Sequence, residues 1–402
     1  MKPPADTRLD RLLRWQRGDT PGPWTITLFP TNRCNLRCKI CWQRGAEGLE
    51  KTDETSDDRL LTLVDECAEL GVREWCIIGG GEPLIRGEVV MEMCARIRGH
   101  GMNGTLQTNG TLLTAEYIKH LVEIGWSRVN VSLDGPDQLV NDDIRSAGSF
   151  RKATENMNRL REMKLKMKRA EPVMSIYAVL TSTNCDKIDR IVELAHELGC
   201  DDGGVQLTTM VVHSPMAKPF ALTDEQKANI SGHLLRAAER AAQYGMFNNF
   251  DLYLQEEILA DPNAMHRAGT TPAGEDMAAA VCYEPWLSVA ITAEGKVGPC
   301  CAFWDPRAES IQTMSFRDAW LGPYLTEIRQ RLLEHRLPGY CMRCPSILFA
   351  RSQTLRTQLI WAQMHWLGKL SVLSARSLQH LRRHGIRWTL RRGFEWAKIK
   401  LC

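Results

Sequence analysis

Along the first two-thirds of the chain the spacing of apolar positions switches repeatedly between strand-like and helical. Trp24-Thr25-Ile26-Thr27-Leu28-Phe29 is a short apolar run. Leu60, Leu61, Leu63, Val64, Cys67, Ala68 and Leu70 then recur at helical spacing as far as Gly71, a residue suited to the left-handed turn that ends a helix. Glu74-Trp75-Cys76-Ile77-Ile78 reads as strand, residues 88–98 as helix and 105–110 as strand. The alternation continues with helix over 115–124, strand over 128–135, helix over 150–168 and strand over 173–180. Helix 188–198, a weaker strand 205–212 and helix 224–244 complete it. Strands that alternate with helices of this length imply parallel pairing and right-handed crossovers. About six such units predict an α/β fold, a partial (βα)6 parallel barrel rather than the closed eight-strand form.

Chemistry-bearing residues collect where these strands end, which is where parallel α/β sheets place ligands. Cys34, Cys38 and Cys41 fall within eight residues directly after the first apolar run. By spacing alone, three thiols suit a zinc knuckle with a distant fourth ligand as well as three irons of a cubane cluster. Gly79-Gly80-Gly81-Glu82-Pro83 follows the second strand; consecutive glycines allow close backbone approach to a ligand and offer N–H groups to it. A second cysteine group begins at Cys282. There the strand 287–291, the turn Glu294-Gly295 and the return 296–301 predict a hairpin that brings Cys282 towards Cys300, and Cys341-x2-Cys344 supplies two further thiols. Cys301 is an alternative to Cys300, since neighbours in a strand face opposite ways.

Composition narrows the class. The 402 residues are 44% hydrophobic and 25% charged, an ordinary globular balance. No apolar run is long enough to span a bilayer and the first residues lack an apolar signal core. Of fourteen cysteines, seven sit in metal-type spacings and most others in apolar patterns, which favours a reducing, cytoplasmic setting over a disulfide framework. The net charge of +3 hides an asymmetry, because residues 351–402 carry eleven Lys or Arg against one acid, Glu395. With Trp361, Trp366, Trp388 and Trp396 this reads as a basic amphipathic helical tail. It is either an appendage on the barrel or a peripheral contact with an anionic membrane; nucleic acid is disfavoured, since no binding motif accompanies the charge.

The C-x3-C-x2-C spacing of Cys34, Cys38 and Cys41, followed by Gly80-Gly81-Glu82-Pro83, resembles the radical S-adenosylmethionine (radical SAM) superfamily, whose core is a six-unit open barrel. The resemblance implies a 4Fe-4S cluster on Cys34, Cys38 and Cys41 with one open iron for SAM. The aromatic residue that often precedes the third cysteine is Ile40 here. By the same resemblance Gly80, Gly81, Glu82 and Pro83 hold the SAM amino group, with the acidic side chain helping. Gln107, Thr108, Asn109, Ser132 and Asp134 line the pocket, and Arg145 holds the carboxylate. The region of Cys282, Gly295 and Cys300 resembles the SPASM/twitch extension, which implies one auxiliary 4Fe-4S cluster on Cys282, Cys300, Cys341 and Cys344. The expected division is an N-terminal extension (1–23), barrel (24–250), linker or cap (251–281), auxiliary cluster domain (282–350) and tail (351–402).

This resemblance implies reductive cleavage of SAM to a 5′-deoxyadenosyl radical that takes a hydrogen atom from substrate, with electrons from a flavodoxin or ferredoxin. A fully ligated auxiliary cluster suits an electron acceptor, and so a net oxidation. The proton acceptor such an oxidation needs is sought in His213 and Asp202. The short segment before the first strand favours a carbohydrate or other small metabolite as substrate. A peptide or protein maturase is the alternative, and a non-enzymatic zinc-bound adaptor the second.

Overall fold

A computed structural model describes residues 6–45, 53–210, 212, 214–254, 280–301, 305–339, 341 and 346–363. His213, Cys344, nearly all of the expected linker and the tail beyond 363 lie outside these. The chain divides into two compact units, Met1–Ser352 and Gln353–Cys402. All described site residues belong to the first.

Helix α1 (Arg8–Gln16) opens the chain under a capping box in which Thr7 and Asp10 satisfy each other's backbone N–H. There follow β1 (Thr25–Leu28), α2 (Asp57–Glu69), β2 (Glu74–Ile77), α3 (Gly87–Gly99), β3 (Asn103–Thr108), α4 (Ala115–Glu123) and β4 (Arg128–Ser132). Next come α5 (Gln138–Ile144), α6 (Ser149–Met167), β5 (Val173–Leu180), α7 (Ile188–Glu197), β6 (Val205–Thr209) and α8 (Asp224–Gln243). Side-chain caps fix the starts of these helices. Ser56 accepts from Arg59 N, Thr114 from Tyr117 N and Thr223 from Gln226 N. Gly71 and Gly199, at positive φ, turn the chain out of α2 and α7.

The six strands pair in sequence order, all parallel. The sheet does not stop at β1. After α9 (Glu284–Leu287), β7 (Ser288–Ile291) pairs parallel with β1, Thr25 opposite Ser288, and β8 (Val297–Gly298) returns antiparallel to β7. The hairpin expected from the sequence is present, and it extends the barrel's own sheet to the order β6-β5-β4-β3-β2-β1-β7-β8. An unpaired edge on β1 would leave a row of backbone donors and acceptors without partners, and β7 covers it. Helices α10 (Phe316–Trp320), α11 (Pro323–Leu333) and α12 (Ser346–Gln363) follow.

Strand register divides the sheet into two unlike faces. Ile26, Leu28, Trp75, Ile77, Leu106, Val129, Val131, Met174, Ile176, Ala178 and Leu207 share one face and are buried. The helices bring buried Leu60, Leu63, Val90, Ile118, Leu160 and Ile191 to the same core. The alternate positions form the concave face. They are Thr25, Thr27, Cys76, Thr105, Gln107, Arg128, Asn130, Ser132, Ser175, Tyr177, Gln206 and Thr208. Fully buried parallel strands ordinarily run apolar on both faces. The concave face is instead largely polar.

Helix α1 is absent from the sequence-derived elements. Its Arg11, 2% exposed, donates to the carbonyls of Gly22 and Pro23 at 2.8 and 2.6 Å. The guanidinium of Arg329 lies 4.7 and 4.2 Å from the ring centroids of Trp15 and Trp320, which meet edge to face at 6.0 Å. This joins α1 to the α10–α11 region. Among the described residues no helix is long and apolar enough to cross a membrane.

Candidate functional site

The loop after β1 carries Cys34, Cys38 and Cys41, all half-buried and reduced. Its shape is set by backbone bonds at both ends. Leu36 N donates to Cys34 Sγ at 3.4 Å, and Cys41 N to the Cys38 carbonyl at 3.3 Å. Further along, Arg37 N donates to Ser146 Oγ and Lys39 N to the Ile144 carbonyl, both at 2.9 Å. The loop therefore lies against the segment that follows α5. The three thiols are within electrostatic reach of one another. Burial raises the pKa of Cys34 and, more strongly, pushes Cys38 up to about 11. Unligated, Cys34 and Cys38 hold their protons, and a bound metal must displace them.

The loop after β2 packs onto the base of the cysteine loop. Gly81 N donates to the Thr31 carbonyl and Glu82 N to that of Arg33, both at 2.9 Å. A Cβ on Gly81 would stand 1.9 Å from the Arg33 carbonyl oxygen, and one on Gly80 2.4 Å from Asn32 Oδ1. Glycine is required at both positions because protein backbone and a side chain already fill that space. This corrects the sequence reading that the loop's N–H groups are kept for a ligand, since those of Gly81 and Glu82 serve the neighbouring loop.

Glu82 is 2% exposed and spends both oxygens on protein donors. Oε1 accepts from Thr108 Oγ1 at 2.6 Å and Leu84 N at 3.2 Å, and Oε2 from Asn109 N at 2.7 Å. Burial raises its pKa, while these bonds pull the other way. Glu82 thus ties the glycine loop to the end of β3. Asn109 continues the knot, donating to Asn35 Oδ1 at 2.9 Å, while Asn35 Nδ2 donates to Thr111 Oγ1 at 2.8 Å. Asn35 lies between Cys34 and Cys38, so the turn after β3 holds the cysteine loop directly.

Asp134 and Arg145 form a second group. Asp134 is fully buried; its Oδ1 accepts from Val179 N at 2.7 Å and its Oδ2 stands 2.7 Å from Arg145 Nε. Burial opposes the charge on Arg145, but Asp134 and the nearby Cys38 and Cys41 sulfurs outweigh it and raise its pKa. A fixed cation therefore stands beside two of the three thiols. Ile40, ahead of Cys41, is buried against Val140, Ile144 and Phe220. Ser132 sits half-buried on the concave face of β4. Asp202 does not join these groups. It is exposed in the turn before β6, at the opposite end of the strands from the cysteine loop.

In the second cysteine set, Cys282 and Cys341 lie within electrostatic reach of each other. Burial pushes their thiols up to about 12 and about 11. Cys300 is half-buried beyond β8 and Cys301 exposed, within reach of the Tyr177 phenol on the concave face. No three His, Cys, Asp or Glu side chains among the described residues converge on a single ion. A cubane does not require that, because each thiolate binds its own iron.

Three thiols at the carboxyl ends of parallel barrel strands, beside the buried Arg145 cation, suit a thiolate-bound metal or iron–sulfur cluster. The comparisons agree. Residues 28–195 match the family model of the radical SAM superfamily, and residues 282–345 that of the SPASM iron-sulfur cluster-binding domain. An AdoMet-dependent heme synthase of Methanosarcina barkeri is 33% identical over 182 residues, 45% of this chain and 49% of that protein. A probable GTP 3′,8-cyclase of Archaeoglobus fulgidus is 30% identical over 225 residues, 54% of this chain and 72% of that protein. The crystal structure of Streptococcus suis SuiB superposes with a TM-score of 0.59 at 16% identity, over 77% of this chain and 68% of SuiB. The chain belongs to the radical SAM superfamily, a class of iron–sulfur enzymes that use S-adenosylmethionine. It spans about half the length of the heme synthase it matches. Family membership implies a 4Fe-4S cluster for the radical SAM domain and auxiliary iron–sulfur clusters for the SPASM domain, in place of zinc.

Sequence reasoning missed Asn32, Glu54 and Glu294, which hold the base of the cysteine loop. Asn32 stands two residues before Cys34 and carried a polar signal. Glu294 was legible only as a turn residue.

Proposed function

We propose that this protein is a radical SAM oxidoreductase acting on a small polar metabolite, a carbohydrate or a compound of similar hydroxyl content. Bound at the Cys34, Cys38 and Cys41 loop, the cluster and SAM supply a hydrogen-abstracting radical at the mouth of the barrel. Arg145, held by Asp134, offers a cation to the SAM carboxylate. Glu82 and Asn109 hold the glycine and cysteine loops around it. Cys282, Cys300, Cys341 and Cys344 hold the auxiliary cluster, which suits a net oxidation by accepting the second electron. A flavodoxin or ferredoxin is the expected reductant.

The observation that carries the substrate class is the concave face. Apart from Arg128, which donates to Ser175 Oγ at 2.7 Å, the polar groups that line it are neutral: Thr105, Gln107, Asn130, Ser132, Gln206 and Thr208. Asn130 is 7% exposed, and its Oδ1 has no partner among the described residues. A buried acceptor left open costs about 1–3 kcal/mol, which a ligand N–H or O–H recovers. Such a lining suits a hydroxyl-rich small molecule. The test is anaerobic reconstitution with SAM and dithionite, scoring 5′-deoxyadenosine against a panel of polyols, sugars and peptides carrying deuterium at carbon. Deuterium transfer from a polyol or sugar supports the reading. Transfer from peptides alone moves the assignment to a peptide maturase, and no 5′-deoxyadenosine under any condition overturns it.

A further inference from the structure

The turn between β7 and β8 reaches across to the cysteine loop. Asn32 Nδ2 donates to Glu294 Oε1 at 2.7 Å. The same asparagine is held on its backbone side, because Asn32 N donates to Glu54 Oε1 at 3.0 Å and Thr31 Oγ1 donates to that oxygen at 2.6 Å. Thr55, next to Glu54, closes the circuit. Its N and Oγ1 donate to the Ala293 carbonyl at 2.7 and 3.0 Å, and Ala293 precedes Glu294. Gly295 lies so close that a Cβ there would stand 2.9 Å from Thr55 Oγ1. Asn32 also sits 2.4 Å from where a Cβ on Gly80 would be, so its side chain sets the floor of the glycine loop.

We infer that Glu294 is a positioning residue through which the auxiliary-cluster hairpin sets the geometry of the cysteine and glycine loops. The hairpin that carries Glu294 leads from Cys282 to Cys300. Glu294 acts on Asn32, and Asn32 on Gly80 and on the run into Cys34. Thr31 and Asn32 are buried at 0% and 6% exposure and Glu294 is half-buried, so the contact is partly sheltered from water and solvent makes good only part of its loss. The hairpin and the cysteine loop then move as one body, and a distortion of the auxiliary site reaches the SAM site through this contact. The consequence for SAM rests on Cys34, Cys38 and Cys41 being cluster ligands; the mechanical link does not.

The test compares the parent, Glu294→Ala and Glu294→Gln as full chains with clusters reconstituted anaerobically. Hydrogen exchange of residues 31–43 is followed by mass spectrometry, and the reduced cluster by electron paramagnetic resonance during SAM titration. In Glu294→Ala, exchange over 31–43 rises about tenfold while exchange in β4 and β5 stays at the parent rate. The SAM concentration that half-shifts the spectrum rises several-fold. Glu294→Gln keeps an acceptor for Asn32 Nδ2 and restores most of both values, which a role for the charge alone would not, whereas Glu294→Met, of similar bulk without an acceptor, does not restore them. If Glu294→Ala does not fold, Asn32→Asp breaks the same contact by setting two carboxylates against each other and gives the same pattern. Parent-like exchange over 31–43 in Glu294→Ala, or a glutamine variant as impaired as the alanine one, overturns the inference. Failure of the parent to assemble a SAM-responsive cluster overturns the functional reading instead, and the exchange data still decide the mechanical link.

Discussion

Glu82→Gln tests how the SAM pocket is built. In the parent the two carboxylate oxygens accept three protein donors, Thr108 Oγ1 at 2.6 Å, Asn109 N at 2.7 Å and Leu84 N at 3.2 Å. Glutamine has one acceptor oxygen. If that oxygen keeps Thr108 and Leu84, the amide NH2 faces the N–H of Asn109 and strands it. A buried donor left unpaired costs about 1–3 kcal/mol. Burial of the parent carboxylate is itself unfavourable, as its raised pKa records. Removing the charge returns part of that cost, and the net loss falls near the lower end, about 1 kcal/mol. The damage is local to the turn 108–111, which holds Asn35 of the cysteine loop. Because about 1.4 kcal/mol is a factor of ten in affinity, SAM binding weakens by up to about fivefold, measured by anaerobic equilibrium dialysis. Hydrogen exchange over 79–83 and 108–111 accelerates in parallel. A loss of SAM affinity with parent-like exchange at both segments would refute the reasoning, because it would mean that Glu82 acts on the SAM ammonium by its charge and not as a strut.

Three further outcomes are expected. Cys300→Ala lowers the iron content by the auxiliary cluster's share whereas Cys301→Ala keeps it, because Cys301 is exposed and lies towards Tyr177; the reverse result assigns Cys301 as the ligand. Burial pushes the Asp142 carboxyl up, but the N–H groups of Phe150 and Gly148 and the Ser149 hydroxyl outweigh it and hold its pKa below the ordinary 3.8. Its stabilising contribution is therefore present above about pH 4 and lost as pH falls through the folded-state value, so Asp142→Asn flattens the acid limb of thermal stability, and an unchanged limb counts against this. Arg329→Met removes the guanidinium that contacts both Trp15 and Trp320 together with its bonds to the Pro285 and Trp320 carbonyls, at 2.9 and 3.0 Å. Two buried carbonyls are left open, and a loss of about 2–4 kcal/mol in denaturant unfolding, with faster exchange in α1, checks it.

The barrel was legible because period-two and period-3.6 patterns leave direct marks on a chain; five of the six parallel strands lie within the segments that spacing predicts, and β3 (Asn103–Thr108) starts two residues ahead of its segment. The cysteine and glycine loops were legible because thiols at short spacing and consecutive glycines are rare without a reason. The hydrogen-bond traffic was not. Nothing in the order Gly80-Gly81-Glu82 shows that two of the loop's N–H groups serve Thr31 and Arg33, or that Glu82 faces β3. Helix α1 escaped notice because its apolar residues are few and its anchors, Arg11 and Trp15, find partners far along the chain. The polar character of the concave face was also hidden. Single polar residues such as Asn130 and Gln206 look like ordinary strand substitutions until register lines them up.

Pairing of β7 with β1 explains why a hairpin turn can matter to a loop some 260 residues earlier. β1 leads directly into the cysteine loop, and β7 runs beside it in parallel register from Thr25–Ser288 to Leu28–Ile291. Two parallel strands leave the sheet at the same end, so whatever follows β7 must lie next to whatever follows β1. The turn at Glu294 therefore meets Asn32 through strand direction and register, without a long reach by either segment. An antiparallel or detached hairpin would have placed it elsewhere. The sheet itself sets the spacing between the two cysteine sets, and substitutions that loosen the β1–β7 ladder should disturb both clusters together, whereas substitutions on β5 or β6 should disturb the substrate face first.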